Sequence, residues 1–370
     1  MRVIWIVPGF QSDPADRCIP ALTDLGHRVA AEHRLKVFAL QYPGREDRYQ
    51  VGRVEVQSFR RGPLRLSRLT PFVRTLRQIR REPGDLLHAF WAAEPALVGL
   101  MANTPKRRPL IVSCMGGEPV YLPQIGYGAA GKRLDRFYLR RAVAGADVIT
   151  AGSQTQAALL KARFGPRLAP VVMPLGVDLA RFAAGADKAL PERPLVLAVG
   201  ALLPVKGHAN LIKAVATLPH LRLRIVGEGP ERGHLQALIK DLGLEERVEL
   251  AGNIDPDNMP AEYRAGDLLA LPSYYESQCV ALLEGLACGL PALAAPVGLA
   301  PALLADGKAG ELALDNSPVN LAGALCRLLS SRPDWPQVRQ EARARAAEVS
   351  LEVCAGRLMK LYEAVLEKRD

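Results

Sequence analysis

Residues Leu271–Gly298 read LPSYYESQCVALLEGLACGLPALAAPVG. Just before them, Asp267–Leu271 is an apolar run with the length of a buried strand. Pro272, Ser273 and Tyr274–Tyr275 interrupt it, which puts Glu276 on a strand-to-helix loop. Val280–Leu283 starts a helix, and Gly289 followed by Pro291 stops it. A second strand follows near Pro291–Ala295. Glu284 then lies on the helix, eight residues after Glu276 and about one turn beyond the helix start. The free N–H groups of a helix N-terminus favour an anion. Carboxylates do not bind phosphate, but they accept hydrogen bonds from hydroxyls on either side of one. The chemistry suggested is a sugar–diphosphate–ribose.

The rest of the chain alternates in the same manner. Val3–Val7 and Val37–Leu40 read as strands around a helix from about Pro14 to His33. Leu110–Ser113 and Val148–Ala151 are further strands. After Leu175 the alternation restarts, with strands at Leu195–Val199, Leu221–Val226 and Arg247–Ala251 and helices at Asn210–Leu218 and His234–Leu242. Two helices close the chain, Trp335–Glu348 and Leu351–Glu367, the second with Val353, Leu358, Leu361, Tyr362 and Val365 on its apolar side. Strand–loop–helix–strand units of this kind make doubly wound α/β domains, and 370 residues suit two of them.

Other classes fit poorly. Six scattered cysteines without a C-x-x-C pair argue against zinc fingers and a disulfide framework and favour a reducing cytoplasm. Leu286–Ala305 is uncharged, but Pro291, Pro296 and Pro301 exclude a membrane-spanning helix. Gly227-Glu228-Gly229 follows a strand as a dinucleotide fingerprint does, yet Arg232 stands where the third glycine belongs.

The net charge of +10 is concentrated locally. Between Arg45 and Arg81, eleven arginines face only Glu46, Asp47 and Glu55. A solvated helix face and loop explains this, and so does contact with an anionic membrane, with Thr70–Arg81 as a basic amphipathic helix. Nucleic acid is not expected as a partner, because aromatic residues are only 5% of the chain and offer no stacking platform.

The Glu276…Glu284 spacing, with "PS" before it and "ACGLP" after it, resembles the E-x7-E motif of retaining GT-B glycosyltransferases, in particular glycosyltransferase family 4. The resemblance implies two Rossmann-like doubly wound domains facing a cleft: 1–175 on the acceptor side, 176–345 for the nucleotide sugar, and a helix in 346–370 returning to the first domain. It implies transfer of a hexose from a nucleoside diphosphate sugar to an acceptor hydroxyl on a glycan, lipid or small molecule. Configuration would be retained, with no metal and no cofactor beyond the donor. Glu276 would contact the sugar and Glu284 the ribose. The backbone of Ser277, Gln278, Cys279 and Val280 would meet the diphosphate.

The same resemblance extends to Gly200–Gly207, where Lys206 would neutralise the diphosphate. Gly227 would lie beside the nucleotide, Asn253 and Ile254 at the base, and Gly9 on the first cleft loop. Gly116 and Glu118 would stand near the reacting sugar, with Glu118 in an acid's place, and His88 at a strand end toward the cleft. Three positions depart from the family pattern. Met115 replaces a histidine, Ala201 an arginine, and Gln278-Cys279 a Phe-Gly pair. These departures keep open a non-catalytic sugar-nucleotide binder, and an epimerase acting on the sugar nucleotide is a further alternative.

Overall fold

The computed structural model describes residues 1–13, 18–59, 69–104, 108–186, 188–330 and 334–368. They form two units, Met1–Gly176 with Leu351–Asp370, and Val177–Ser350.

The first unit runs β1 (Arg2–Gly9), α1 (Pro20–Glu32), β2 (Arg34–Tyr42), β3 (Asp47–Val51), β4 (Val54–Ser58), α2 (Leu69–Arg81) and β5 (Leu86–Phe90). It continues through α3 (Glu94–Ala102), β6 (Leu110–Cys114), α4 (Arg133–Gly145), β7 (Val148–Ala151), α5 (Gln154–Phe164) and β8 (Val171–Val172). The sheet order is β3-β4-β2-β1-β5-β6-β7-β8, parallel except for β3 against β4. Alternation along β1 decides the two faces. Trp5 and Val7 join the core under α1, while Ile4 and Ile6 join the core with Leu76, Ile79, Leu139 and Leu160 from the opposite helices.

Two expectations change here. The first helix begins at Pro20 rather than near Pro14, because Pro20 fits the first helical turn, where no N–H is needed; residues 14–17 lie outside the described residues. The arginine-rich stretch opens as a β-hairpin rather than a loop. Tyr49, Val51, Val54 and Val56 alternate about a turn at Gly52, which has φ 57°.

The second unit runs β9 (Leu195–Val199), α6 (His208–Ala216), β10 (Arg222–Val226), α7 (Arg232–Asp241), β11 (Val248–Gly252), α8 (Met259–Ala265) and β12 (Leu268–Leu271). Then come α9 (Val280–Ala287), β13 (Ala292–Ala294), α10 (Ala300–Leu304), β14 (Gly310–Leu312), α11 (Pro318–Ser330) and α12 (Trp335–Ala347). Its sheet is wholly parallel in the order β11-β10-β9-β12-β13-β14. Chain order reverses between β9 and β12, the place where open α/β sheets bind ligands beyond the strand C-termini.

One device recurs at the strand starts. Asp85, Asp147 and Asp267 each stand one residue before a strand. Each carboxylate accepts the N–H of the neighbouring strand's first residues: Asp85 from Arg2 at 2.7 Å, Asp147 from Leu110 at 2.8 Å and Asp267 from Leu195 at 2.8 Å. Backbone groups that the parallel ladder leaves unpaired at its edge are thereby satisfied.

The last helix, α13 (Leu351–Glu367), belongs to the first unit. Residues 346–350 stay with the second unit, because α12 continues to Ala347 before the chain turns. Cys354, Leu358, Tyr362 and Val365 are buried on α13, whereas Val353 faces outward at 37% exposure, against expectation. A buried relay docks this helix. Trp5 Nε1 donates to the Tyr362 hydroxyl at 2.9 Å. Indole N–H only donates, so that hydroxyl is left to donate to His88 Nδ1 at 2.7 Å. His88 Nε2–H then donates to Ser113 Oγ at 2.7 Å, and Ser113 Oγ meets Thr150 Oγ1 at 2.6 Å. His88 is thus a fully buried packing residue, its pKa pushed down to about 3 by burial.

Candidate active site

In the second unit, the loops after β9 and β12 carry the two groups that sequence reading singled out most strongly. Lys206 ends a short helical turn, Pro204–Lys206, and Gly207 follows at φ 67°. A Cβ on Gly207 would meet the Pro272 carbonyl oxygen at 2.1 Å, so only glycine lets the two loops touch. The consequence is an ion pair. Lys206 Nζ lies 2.6 Å from Glu276 Oε1, and Ser273 Oγ donates to the same oxygen at 2.8 Å. Both charged side chains are half-buried, so the pair is formed but reachable from solvent.

Helix α9 begins at Val280, as expected, and Glu284 follows just beyond its first turn. The fully buried Tyr263 of α8 donates its hydroxyl to Glu284 Oε2 at 2.7 Å. Burial, and then the Glu284 charge, push the Tyr263 pKa far up, so it remains a donor. Tyr263 and Ser273 were not anticipated. Ser273 stands three residues from Glu276 in a visible motif, whereas Tyr263 is twenty-one residues before Glu284 and no spacing rule links them.

Cys279 replaces the glycine of the family pattern, and it adopts a glycine's conformation. It caps α9 at φ 68°, ψ 61°. Its sulfur donates to the Val297 carbonyl oxygen at 3.5 Å and occupies space left by Gly298, whose own Cβ would lie 2.7 Å from that sulfur. The left-handed cap is kept at a cost of about 1–2 kcal/mol for a non-glycine residue. Burial and the Glu276 charge hold the thiol protonated, well above its usual pKa. Gln278 is also buried, and Ser277 and Val280 are half-buried.

The remaining residues spread further. Gly227 opens the loop after β10, its N–H donating to the Gly252 carbonyl at 2.8 Å. Asn253, the next residue, is exposed, and Ile254 is half-buried. Ala201 is exposed on the loop where the family pattern has arginine. His208, next to Gly207, is buried. The backbone of Gly200 and Ala201 lies beside its ring without reaching hydrogen-bond geometry, and burial pushes its pKa down to about 4.

The first unit holds a separate group. Gly9 closes β1 against Tyr42. Glu118 is buried on the loop after β6 and accepts three backbone N–H groups: Gly116 at 2.6 Å, Met115 at 3.1 Å and Ala92 at 3.2 Å. Burial pushes its pKa up, and the backbone amides around the carboxylate, its own among them, oppose that rise. Its carboxylate shapes the loop from Met115 to Glu118. Beside that loop stands Trp91, which holds a left-handed φ of 73° at the end of β5. Among the described residues, no group of three or more His, Cys, Asp or Glu side chains is placed to hold a metal ion, and no helix is long and apolar enough to cross a membrane.

A mainly parallel sheet and a wholly parallel one, each with its strand order reversing once, are the architecture of a GT-B glycosyltransferase. Solved structures agree on the fold. Sucrose-phosphate synthase from Thermosynechococcus elongatus superposes with a TM-score of 0.85 at 21% identity, covering 100% of both chains. The Anabaena protein HepE, solved with UDP-glucose, gives 0.77 at 21% identity over 98% of this chain and 100% of its own.

The family model for glycosyl transferases group 1 matches residues 184–348, and that for Glycosyltransferase Family 4 matches 21–181. A D-inositol 3-phosphate glycosyltransferase from Nocardia farcinica is 33% identical over 81% of this chain and 72% of its own length. A GDP-mannose-dependent alpha-(1-6)-phosphatidylinositol monomannoside mannosyltransferase from Mycolicibacterium smegmatis is 33% identical over 60% of this chain and 62% of its own. The chain belongs to glycosyltransferase family 4.

Proposed function

We propose that this protein transfers a hexose from a nucleoside diphosphate sugar to an acceptor hydroxyl, with retention of configuration and without a metal ion. The observation that carries the reading is the meeting of Lys206 and Glu276 at the switch point between β9 and β12, with Glu284 eight residues further on in helix α9. In this reading Lys206 and the backbone from Ser277 to Val280 stabilise the departing diphosphate, the electrostatic contribution that carries most of such catalysis. Glu276 accepts hydroxyls of the sugar and Glu284 those of the ribose. Gly227, Asn253 and Ile254 border the nucleoside.

Glu118, Gly116 and Gly9 belong to the acceptor side. Glu118 acts there by fixing the loop, because three amides already occupy its carboxylate. Relatives named for GDP-mannose and for inositol 3-phosphate, and a neighbour solved with UDP-glucose, support a nucleotide-sugar donor and a hydroxyl-rich acceptor. The reaction is assigned to the cytoplasm, where nucleotide sugars and free thiols coexist.

Membrane contact through Arg45–Arg81 has weaker support. Arg45 faces Asp47, Arg48 donates to Gln57, Arg74 pairs with Glu46, and Arg80 donates to the Met101 carbonyl. Arg60, Arg61, Arg65 and Arg68 lie outside the described residues.

Incubation with a panel of nucleotide sugars and polyol acceptors in EDTA, read by NMR of the product anomeric proton, tests the reaction. A product with the donor's anomeric configuration is expected. An inverted product, or a requirement for divalent metal, contradicts the reading. Met115, Ala201 and Cys279 favour a non-catalytic binder as the second reading; it would bind nucleotide and yield no product. Conversion of donor in the absence of any acceptor would instead indicate an epimerase.

A further inference from the structure

Helix α4 presents an unusual outward face. With 3.6 residues per turn, Arg133, Phe137, Arg140 and Arg141 lie on one stripe, with Leu134 at its edge. All five are exposed, Leu134 at 59% and Phe137 at 50%, while Leu139 and Ala142 are buried on the opposite side. Apolar side chains of this size are costly to leave in water, and here they sit between cations. The helix's remaining arginine, Arg136, is spent internally on the Ala130 and Gly131 carbonyls. Asp135 is its one acid. Among the described residues, Arg133, Arg140, Arg141 and Arg167 have no carboxylate partner.

The face continues into a concavity between α4 and α5 of about 590 Å³. Arg140, Arg163 and Arg167 line it, above a floor of Val143, Phe164 and Leu168. Arg163 makes one long hydrogen bond, 3.4 Å to the Pro119 carbonyl. Three guanidiniums around one hollow repel one another unless an anion enters, and their planar forks suit phosphate oxygens.

We propose that the α4–α5 face docks on an anionic phospholipid surface. Phe137 and Leu134 enter the boundary between headgroups and acyl chains, Arg133 and Arg141 meet neighbouring phosphates, and the Arg140–Arg163–Arg167 hollow seats one headgroup. Basic residues beside large apolar ones on one helix face are what an interfacial helix requires. Charge complementarity selects the lipid over an apolar protein partner.

Vesicle flotation of the full chain tests this, with phosphatidylcholine alone and with equal parts of phosphatidylcholine and phosphatidylglycerol. Binding only to the anionic vesicles, weakening with salt, is expected. Leu134→Ser with Phe137→Ser is expected to weaken it about tenfold or more. Each of Arg140→Gln, Arg163→Gln and Arg167→Gln is expected to weaken it about fivefold. All these residues are exposed or at the hollow's rim, so the variants keep the wild-type thermal transition.

Three results would overturn the proposal. Unchanged flotation of these variants, together with its loss in Arg77→Gln/Arg81→Gln, places the contact on α2. Displacement by soluble pyrophosphate, with the serine variants unaffected, assigns the hollow to a soluble anion. A dimer in solution that the serine variants convert to monomer assigns the face to a second copy of this chain.

Discussion

Lys206 Nζ lies 2.6 Å from Glu276 Oε1 and so joins the loops that follow adjacent strands β9 and β12. The pair holds both groups in place before any ligand arrives. An ammonium has three donors, so it can keep Glu276 and still take a phosphate oxygen. Replacing Lys206 by Gln is expected to lower kcat by about 10²–10³-fold, since the charge acts on the leaving diphosphate. Glu276→Gln is expected to keep nucleotide affinity and lose turnover. Steady-state kinetics beside nucleotide titration separate the two. Equal loss of nucleotide affinity in both variants would mean that the pair is only a structural brace.

Tyr263 is expected to act through Glu284. Tyr263→Phe removes one hydrogen bond to a carboxylate, worth about 1.5–3 kcal/mol, and is expected to raise the donor KM about tenfold with little change in kcat. The diagnostic is selectivity. Wild type is expected to prefer ribonucleotides over their 2′,3′-dideoxy analogues, and the variant to lose most of that preference. A variant that loses stability but keeps the preference would make Tyr263 a packing residue alone.

Cys279 gives an inverted size series. Cys279→Ala keeps the left-handed strain and loses the sulfur, so a loss of about 1–2 kcal/mol is expected. Cys279→Gly removes more atoms but relieves the strain, and it is expected to be at least as stable as the alanine variant. Thermal unfolding of the three proteins checks the order.

How much of this was legible in the sequence depends on range. Glu276, Glu284 and Lys206 sit in motifs whose loop and helix boundaries are written locally in Pro272, Gly207 and Gly289, and the structure puts Glu276 and Lys206 on loops that follow strands and Glu284 on a helix, as read. The Tyr263–Glu284 bond and the Trp5–Tyr362–His88 relay join residues that only the folded sheet brings together, and no period or spacing encodes them. The β3–β4 hairpin was hidden for another reason. Its arginines outweighed the short Tyr49–Val56 alternation, although edge strands commonly carry charge. Cys279 was visible as a departure, but that it would keep a glycine's backbone followed only from the space left by Gly298.

Acid sensitivity follows from two neutral imidazoles. His88 and His208, with pKa values of about 3 and about 4, lie below the ordinary histidine value of 6.5 because both are buried. Between these limits the unfolded chain binds more protons than the folded one, so stability present above about pH 6.5 is lost as the pH falls. Each histidine is expected to remove about 2 kcal/mol between roughly pH 6.5 and pH 5. Urea unfolding at the two pH values measures the loss, and His208→Met is expected to halve it. A pH-independent midpoint would contradict the buried neutral state of both.

The donor site itself is tested most directly by calorimetric titration of UDP, GDP and ADP into wild type and Glu284→Ala. At least one nucleoside diphosphate is expected to bind wild type, without added metal, and to bind the variant about tenfold or more weakly, because a charged acceptor of ribose hydroxyls is lost. No binding to wild type, or equal binding to both proteins, would contradict the site built on Lys206, Glu276 and Glu284.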